Sequence, residues 1–207
     1  ESPVWGLAAP SANQFGRVSP TTALHVQGEF GDDLLILDGG ACPVGIESTI
    51  IDCTRGVPVL LRPGVLTRDE LQRACGQPVL LKDELPAHTE PGPRASGTLA
   101  SHYAPRATVR LMDAQALRTA LDVLGADPGA VPQIGVYARS SLGLLSPPQS
   151  PAYVLKPMPA DPAAAAQVLF ADLRELDAQG LKLIWVETPP DHPEWAGVRD
   201  RLQRAAA

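Results

Sequence analysis

The first half of the chain carries short apolar runs that are closed by glycines or prolines. Three of them, at residues 34–38 (LLILD), 48–53 (STIIDC) and 57–64 (VPVLLRPG), have the length and composition of buried strands. A helix over residues 67–75 is predicted to follow, because a threonine at its start and a glutamate three residues later form a capping box. This half of the sequence therefore predicts a β-rich unit that ends near Leu81.

From Thr108 onward, apolar runs alternate with segments of helical spacing. Strands are predicted at residues 108–112, 133–138 and 181–188, and helices at residues 114–125, 163–179 and 194–206. Such alternation is typical of a parallel sheet with flanking helices, so the predicted fold class is α/β.

A long stretch without an apolar period, residues 82–107, separates the two halves and contains several prolines. Segments of this length without regular structure are uncommon in compact proteins unless they are functional or disordered. We therefore predict a first unit at residues 1–81, a linker at residues 82–107 and a second unit at residues 108–207.

Composition narrows the classes of function. The net charge of −6 argues against a broadly basic nucleic-acid surface, and the absence of any apolar run near 18 residues predicts no membrane span. The three cysteines form no Cys-x-x-Cys pair, which favours free thiols in a reducing compartment and speaks against a zinc site. We expect a cytoplasmic protein, with Cys42 as a buried structural thiol.

Candidate chemistry begins in the opening segment, where hydroxyl and amide side chains are dense. Ser11, Asn13, Ser19 and Thr21 lie within eleven positions, and such groups together with backbone N–H groups suit a phosphate or a small polar ligand. The alternative is an ordinary turn followed by a helix cap, with Ser19 starting a short helix that runs to Val26.

Three further places offer polar groups beside strands or inside the linker. The glycine-rich run 38–52 leads into a strand that carries Ser48, and Arg62 ends the next strand just before a Pro-Gly pair. An arginine so placed can bind an anion with its planar fork of donors, or it can be solvated at a strand end. His102 and Tyr103 are the linker groups able to stack or to transfer a proton; a plain spacer is the alternative.

In their order along the chain, these segments resemble one family. APSAN, SPT, ILDGG, VGIESTI, LRPG and HYAP are similar to motifs of the long form of the L-threonylcarbamoyl-AMP synthase family. The likeness runs from about Leu7 to the C-terminus and is strongest through residue 64 and at residues 95–105. It implies part of a YrdC-like twisted α/β catalytic domain, followed by a smaller Rossmann-like parallel α/β domain.

The resemblance implies a reaction in which L-threonine, bicarbonate and ATP give threonylcarbamoyl-AMP and pyrophosphate, with Mg²⁺ supporting the nucleotide. A downstream tRNA threonylcarbamoyltransferase complex would use the product. Because such a transfer depends on positioning and on neutralising phosphate charge, no catalytic nucleophile and no protein metal ligand is expected.

The resemblance also implies roles for individual residues. Ser11 and Ser48 are expected to contact threonine, and the nucleotide is expected to meet Asn13, Ser19, Thr21, Arg62 and Tyr103. Tyr103 would arrive with the linker, which would act as a lid that excludes water.

The family's catalytic domain usually begins well before its APSAN motif. We therefore expect this chain to lack the N-terminal half of that domain and, by itself, to release little pyrophosphate from ATP. Two other functions stay open from the sequence: a carbamoyl-transfer module of the hydrogenase-maturation type, and a non-catalytic RNA-binding fragment with a weak tRNA contact.

Overall fold

The computed structural model describes residues 3, 5–6, 9–86, 92–124, 133–139 and 153–207 of the 207-residue chain. The predicted linker segment 87–91 and the last residue of the helix predicted at residues 114–125 therefore lie outside the described residues. None of the helices in the described ranges has both the length and the apolar character needed to cross a bilayer.

The first part of the chain contains a small mixed sheet and two short helices. Helix α1 spans Ala23–Phe30, and helix α2 spans Arg68–Cys75. Strands β1 (Ile50–Asp52) and β2 (Val59–Arg62) are antiparallel, and the short strand β3 (Leu80–Leu81) pairs in parallel with β2. The predicted capping box is present, because the Thr67 and Glu70 side chains each bond the other residue's backbone.

The second part is built on a parallel sheet with helices on both faces. Its strands are β4 (Thr108–Met112), β5 (Ile134–Arg139), β6 (Tyr153–Met158) and β7 (Leu183–Glu187), in the spatial order β4-β7-β5-β6. All pairs in this sheet are parallel, which agrees with the predicted α/β class. The helices are α3 (Ala114–Leu124), α4 (Pro162–Ala178) and α5 (Ala196–Ala205).

Two apolar clusters hold the second part together. The smaller one packs α3, through Leu117 and Leu121, against one face of the sheet. The larger one packs α4 and α5 against the other face and also takes in Val18, Ile46 and Tyr103 from earlier in the chain. The opening segment, the glycine-rich run and the linker therefore dock into the core of the parallel-sheet unit.

Three sequence predictions about local structure are wrong. Residues 34–38 form no strand, and Leu35 and Leu37 are exposed, because no described segment pairs with them or covers them. The short helix starts at Ala23 rather than Ser19, since Thr22 supplies the cap by accepting the N–H of His25. Cys42 is exposed rather than buried.

Candidate functional site

A cavity of about 450 Å³ lies between the opening segment and the glycine-rich run. Its walls combine hydroxyl groups, one carboxylate and backbone at glycine and proline positions. The lining residues that bear on its chemistry are Ser11, Ser19, Thr21, Cys42, Gly45 and Glu47. Three of the seven predicted ligand residues thus share one cavity.

Ser19 and Glu47 form the polar centre of this wall. The Ser19 hydroxyl donates to Oε1 of Glu47 at 2.5 Å, and Ser19 is only 4% exposed. The other oxygen of the same carboxylate accepts the Nε–H of Arg201, at 3.0 Å. A carboxylate fixed from both sides in this way keeps its charge at a defined point beside the cavity.

Thr21 is also buried and is held by its neighbours. Its carbonyl oxygen accepts the N–H of Cys42 at 2.9 Å, which joins the opening segment to the glycine-rich run. Its own N–H donates to Nδ1 of His25 at 3.2 Å. Burial of His25, helped by the positive charge of Arg174, lowers the pKa of this imidazole.

The lowered pKa of His25 predicts acid sensitivity. The folded state favours the neutral ring, so the unfolded chain binds more protons as the pH falls from about 6.5. The free energy of unfolding should therefore decrease between pH 7.5 and pH 5.5, measured by urea denaturation. Replacing His25→Asn, which keeps an acceptor for the Thr21 N–H, should make this decrease shallower.

Gln27, an exposed residue without a titratable group on the same helix, supplies the control for this measurement. Gln27→Asn should leave the pH dependence as in the wild type. The pKa of His102 is also lowered, chiefly by burial. His102 therefore accounts for the pH dependence of the unfolding free energy that remains in His25→Asn. An unchanged slope in His25→Asn would contradict the assignment.

Ser11 and Asn13 lie at the exposed rim of the site. The Ser11 hydroxyl donates to Oδ1 of Asn13 at 2.5 Å, and the Asn13 amide donates to the carbonyl oxygens of Gln14 and Arg17. These bonds fold the opening segment into a compact turn. Asn13 is thus placed next to the cavity through Ser11.

The side chain of Arg62 bonds the backbone of Ser48 and not its hydroxyl. Nε and Nη2 of Arg62 donate to the carbonyl oxygen of Ser48 at 3.1 and 2.9 Å, and Nη1 donates to the carbonyl oxygen of Ser96 at 2.8 Å. Arg62 is only 6% exposed, so its fork ties strand β2 to the linker. The Ser48 side chain itself is exposed.

Tyr103 is buried at the point where the linker meets helix α4. Its ring stacks on Phe170 at a centroid distance of 5.3 Å, and its backbone has a φ of 62°. Burial is the largest cause that raises the pKa of its phenol. The hydroxyl has no hydrogen-bond partner among the described residues, and a Cβ at Gly97 would collide with it.

The unpartnered hydroxyl of Tyr103 gives a second prediction. Tyr103→Phe should change the free energy of unfolding by less than about 1 kcal/mol, because a buried hydroxyl without a partner contributes nothing favourable to folding. The same variant should weaken ATP binding if the hydroxyl meets the nucleotide. Urea denaturation and calorimetric titration measure the two effects, with Tyr153→Phe in strand β6 as the control. A loss above about 2 kcal/mol would mean that the hydroxyl is bonded in the fold.

The linker is pinned on both sides of Tyr103. The N–H of His102 donates to the carbonyl oxygen of Arg204 in α5, at 3.1 Å. The N–H of Ala104 donates to the carbonyl oxygen of Gly16, at 2.9 Å, within a parallel bridge between Arg17 and Ala104. The linker therefore lies between the opening segment and helix α5 at this point.

Sequence patterns did not single out the two arginines that support this site. Arg174 of α4 bonds the carbonyl oxygens of Val18 and Ser19, and Arg201 of α5 bonds Glu47. One signal was available for Arg201: its spacing from Val198 and Ala205 places it on the buried face of α5. A charged residue on such a face needs a partner.

The described residues offer no cage for Mg²⁺. Within them, no group of three or more His, Cys, Asp or Glu side chains is placed to hold a metal ion. Glu47 is the carboxylate among the cavity-lining residues, and it is already bonded by Ser19 and Arg201.

Fold and site together define an α/β protein in which a polar cavity beside a small sheet is supported by a parallel-sheet unit. Residues 66–207 match the family model described as "Threonylcarbamoyl-AMP synthase, C-terminal domain", and residues 2–64 match the model described as "Telomere recombination". The chain belongs to the threonylcarbamoyl-AMP synthase family, which confirms the resemblance stated from its motifs. The match over residues 66–207 favours this family over a hydrogenase-maturation module.

Similar proteins come from distant organisms. The threonylcarbamoyl-AMP synthase of Schizosaccharomyces pombe is 35% identical over 97% of this chain and 52% of its own length. That of Pyrococcus abyssi is 31% identical over 97% of this chain and 57% of its own length. The crystal structure of P. abyssi Sua5 complexed with L-threonine superimposes with a TM-score of 0.74 at 28% identity, covering 95% of this chain and 56% of that one. The chain thus spans about half the length of the curated relatives it matches.

Proposed function

We propose that the chain takes part in the synthesis of threonylcarbamoyl-AMP from L-threonine, bicarbonate and ATP, as an ATP-dependent nucleotidyltransferase for tRNA modification. One observation carries the proposal. Ser11, Ser19 and Thr21, from motifs typical of the family, line one cavity together with Glu47. Family membership supplies the reaction, and the cavity supplies a place for its substrates.

The proposed contacts follow the sequence predictions. L-Threonine would meet Ser11 and Ser48, and the nucleotide would meet Asn13, Ser19, Thr21, Arg62 and Tyr103. Arg62 lies beside the linker through Ser96, and the Tyr103 hydroxyl lies against Gly97. A rearrangement of residues 96–97 would free Nη1 of Arg62 and uncover the Tyr103 hydroxyl for a ligand, as expected of a lid.

The proposed role of these residues is to position the reactants. Joining a carbamate to an adenylate needs two reactants held in line and phosphate charge neutralised, and hydroxyls, amides and an arginine serve that purpose. Mg²⁺ would neutralise phosphate charge while bound mainly to the substrate's own phosphates and to water.

The proposed division of labour follows the predicted parts. Residues 1–81 would belong to the catalytic domain, residues 82–107 would form the linker and lid, and residues 108–207 would form the accessory domain. The product would pass to a tRNA threonylcarbamoyltransferase complex, in the cytoplasm. Support for the accessory role comes from Arg174 and Arg201, which hold the cavity wall from the second part.

Binding of L-threonine tests the proposal directly. Calorimetric titration of the chain with L-threonine should detect binding that D-threonine does not reproduce. Ser11→Ala, which removes a cavity-lining hydroxyl assigned to L-threonine, should weaken this binding by about tenfold, the usual effect of losing one hydrogen bond to a charged group. Thr119→Ala, which changes an exposed hydroxyl on α3, should not weaken it.

The three exposed cysteines provide a second measurement. Cys42 lines the cavity, so L-threonine should slow its alkylation and leave Cys53 and Cys75 unchanged when the labelled peptides are quantified by mass spectrometry. Both measurements are repeated in the presence of ATP. If L-threonine neither binds nor protects Cys42 from alkylation under either condition, the proposed site is contradicted.

A further inference from the structure

Arg204 of helix α5 is joined to the linker at two points. Its Nη1 donates to the carbonyl oxygen of Leu99, and its own carbonyl oxygen accepts the N–H of His102 at 3.1 Å. The next linker residue is Tyr103, which is only 1% exposed. Helix α5 therefore holds the linker just before its buried tyrosine.

Asp200, one turn earlier on α5, fixes the direction of the Arg204 side chain. Both of its carboxylate oxygens accept the Nε–H of Arg204, at 3.0 Å, and Oδ1 also accepts an N–H of Nη2, at 2.8 Å. Because the guanidinium is a rigid plane, a carboxylate bonded along the Nε–Nη2 edge leaves Nη1 pointing away from Asp200. In this structure Nη1 points at Leu99.

The linker segment 97–101 has few other attachments. Arg62 bonds the carbonyl oxygen of Ser96, immediately before the segment, and Leu99 leaves 50% of its surface exposed. Among the described residues, the bond from Arg204 to Leu99 is the one hydrogen bond that ties residues 97–101 to a helix or a strand. The position of this segment therefore depends strongly on one side chain.

The linker covers two groups that the proposed function assigns to the nucleotide. Nη1 of Arg62 donates to the carbonyl oxygen of Ser96 at 2.8 Å. The backbone at Gly97 lies so close to the Tyr103 hydroxyl that a Cβ there would collide with it, and the same Cβ would lie 3.0 Å from Nη1 of Arg62. A nucleotide can therefore meet this nitrogen or the Tyr103 hydroxyl only after the backbone of Ser96 and Gly97 moves away.

We propose that Arg204 is a positioning residue that acts as a latch: its bond to Leu99 keeps residues 96–101 over Arg62 and the Tyr103 hydroxyl, and breaking this bond admits the nucleotide. The inference rests on the proposed function for the identity of the ligand and for the lid. It adds the contact that keeps the lid closed, and that contact comes from the second part of the chain.

The strength of the latch suits a contact that opens and closes. A hydrogen bond from a charged donor changes an equilibrium by about tenfold to a hundredfold, so one such bond holds the segment without making closure permanent. Asp200 stays bonded to Arg204 when the linker moves, and the guanidinium remains aimed for closing. The N–H groups of His102 and Ala104 keep their own backbone partners, so the motion is confined to residues 96–101.

Native-state proteolysis tests the latch without a ligand. Thermolysin cleaves on the N-terminal side of leucine, and cleavage at Leu99 requires the surrounding segment to leave its folded position. Arg204→Met keeps the backbone bond to His102 but removes the latch, so cleavage at Leu99, quantified by mass spectrometry, should become about tenfold faster. Arg204→Lys should give an intermediate rate, because it keeps the charge without the fork that Asp200 orients.

Two variants separate a latch from a general loss of stability. Arg199→Met, on the same helix and paired with Asp191 at the surface, should be cleaved at Leu99 like the wild type. Leu121→Ala opens the apolar cluster on the far face of the sheet and should also leave this rate unchanged, because the segment opens without global unfolding. A wild-type rate in Arg204→Met, or an equal acceleration in Leu121→Ala, would overturn the proposal.

Ligand kinetics give the functional readout. The chain is mixed in a stopped-flow instrument with Mg²⁺ and ATP that carries a fluorescent N-methylanthraniloyl group. The association and dissociation rate constants should both rise about tenfold in Arg204→Met, because the open state is more populated, and the dissociation constant should change by less than about threefold. Weaker binding with an unchanged association rate would mean that Arg204 shapes the bound site, and the latch would be rejected.

The latch and the proposed function fail in different ways. If the wild type does not bind the labelled ATP, the nucleotide contacts of the proposed function fail, and cleavage at Leu99 decides the latch by itself. If the labelled ATP binds, and Arg204→Met matches the wild type in cleavage and in both rate constants, the latch is overturned while the proposed function stands.

Discussion

Replacing Arg174→Met should lower the free energy of unfolding by about 3–5 kcal/mol, the usual effect of removing one partner from a buried ion pair. Arg174 donates to Oε1 of Glu29 at 2.8 Å, to the carbonyl oxygen of Ser19 at 3.3 Å and to the carbonyl oxygen of Val18. The Glu29 side chain is 2% exposed. Its charge would be left with Arg17, whose Nε lies 3.6 Å away. Urea denaturation at neutral pH measures the loss.

Two controls sharpen this prediction. Arg110→Met, at an exposed position of β4, should change stability by less than about 0.5 kcal/mol. Adding Glu29→Gln to Arg174→Met should recover part of the loss, because no buried charge is then left without its partner. A loss below about 1 kcal/mol in Arg174→Met would mean that the pair does not join α1 to α4.

Urea denaturation of the same variants at acid pH provides a further check. Burial is the largest single influence on Glu29 and opposes its ionisation. The hydrogen bonds from Arg174 and Gln14 and the charges of Arg174 and Arg17 together outweigh burial, so the pKa of this carboxyl is lowered overall. The pair therefore stabilises the fold above the unfolded-state pKa and loses its effect as the pH falls through the lowered one. The difference between wild type and Arg174→Met should shrink over that range.

Elements with strong local signals were predicted well from the sequence. The helix at Arg68–Cys75 carries its own capping box, and β4 and β7 are apolar runs close to their predicted bounds. Strand β6 (Tyr153–Met158) was not predicted, because it contains Lys156 and Pro157 and is only partly buried. It lies at the edge of the sheet, where proline is tolerated and the apolar pattern is weak.

The run at residues 34–38 shows the opposite error. Its composition favours a buried strand, but a strand forms only where another segment pairs with it and covers it. Leu35 and Leu37 remain exposed because the described residues provide neither. The apolar composition of this run therefore indicates a tendency to form a strand. Whether the run is buried depends on contacts with distant residues, which composition does not reveal.

Some residues of the site could be found from local sequence motifs, and others could be found only from the structure. Hydroxyls of the opening segment could be found from the motifs, since they lie close together along the chain. The arginines that orient them come from 154 to 156 residues away, as the bonds of Arg201 to Glu47 and of Arg174 to Val18 show. No local pattern encodes a contact over that separation, so the support of the site had to come from the structure.

Gly45→Ala should be the most disruptive single-methyl change in the cavity wall. Gly45 has a φ of 84°, and a Cβ there would collide with the carbonyl oxygens of Ala166 and Gln167 in α4. Strain at positive φ accounts for about 1–2 kcal/mol, and overpacking against a helix backbone adds about 1–3 kcal/mol. Urea denaturation should show the combined loss, and binding of L-threonine should weaken because Gly45 and Glu47 line the same cavity.

Gly40→Ala is the matched control, because it carries the same kind of strain without the collision. Gly40 belongs to the same run, has a φ of 89° and faces open space. Its variant should lose only about 1–2 kcal/mol, so the difference between the two variants measures the contact with α4. Equal losses would mean that the glycine-rich run does not press against that helix in solution. A larger loss in Gly45→Ala, with faster alkylation of Cys42 than in Gly40→Ala, would establish that α4 holds this wall of the cavity in place.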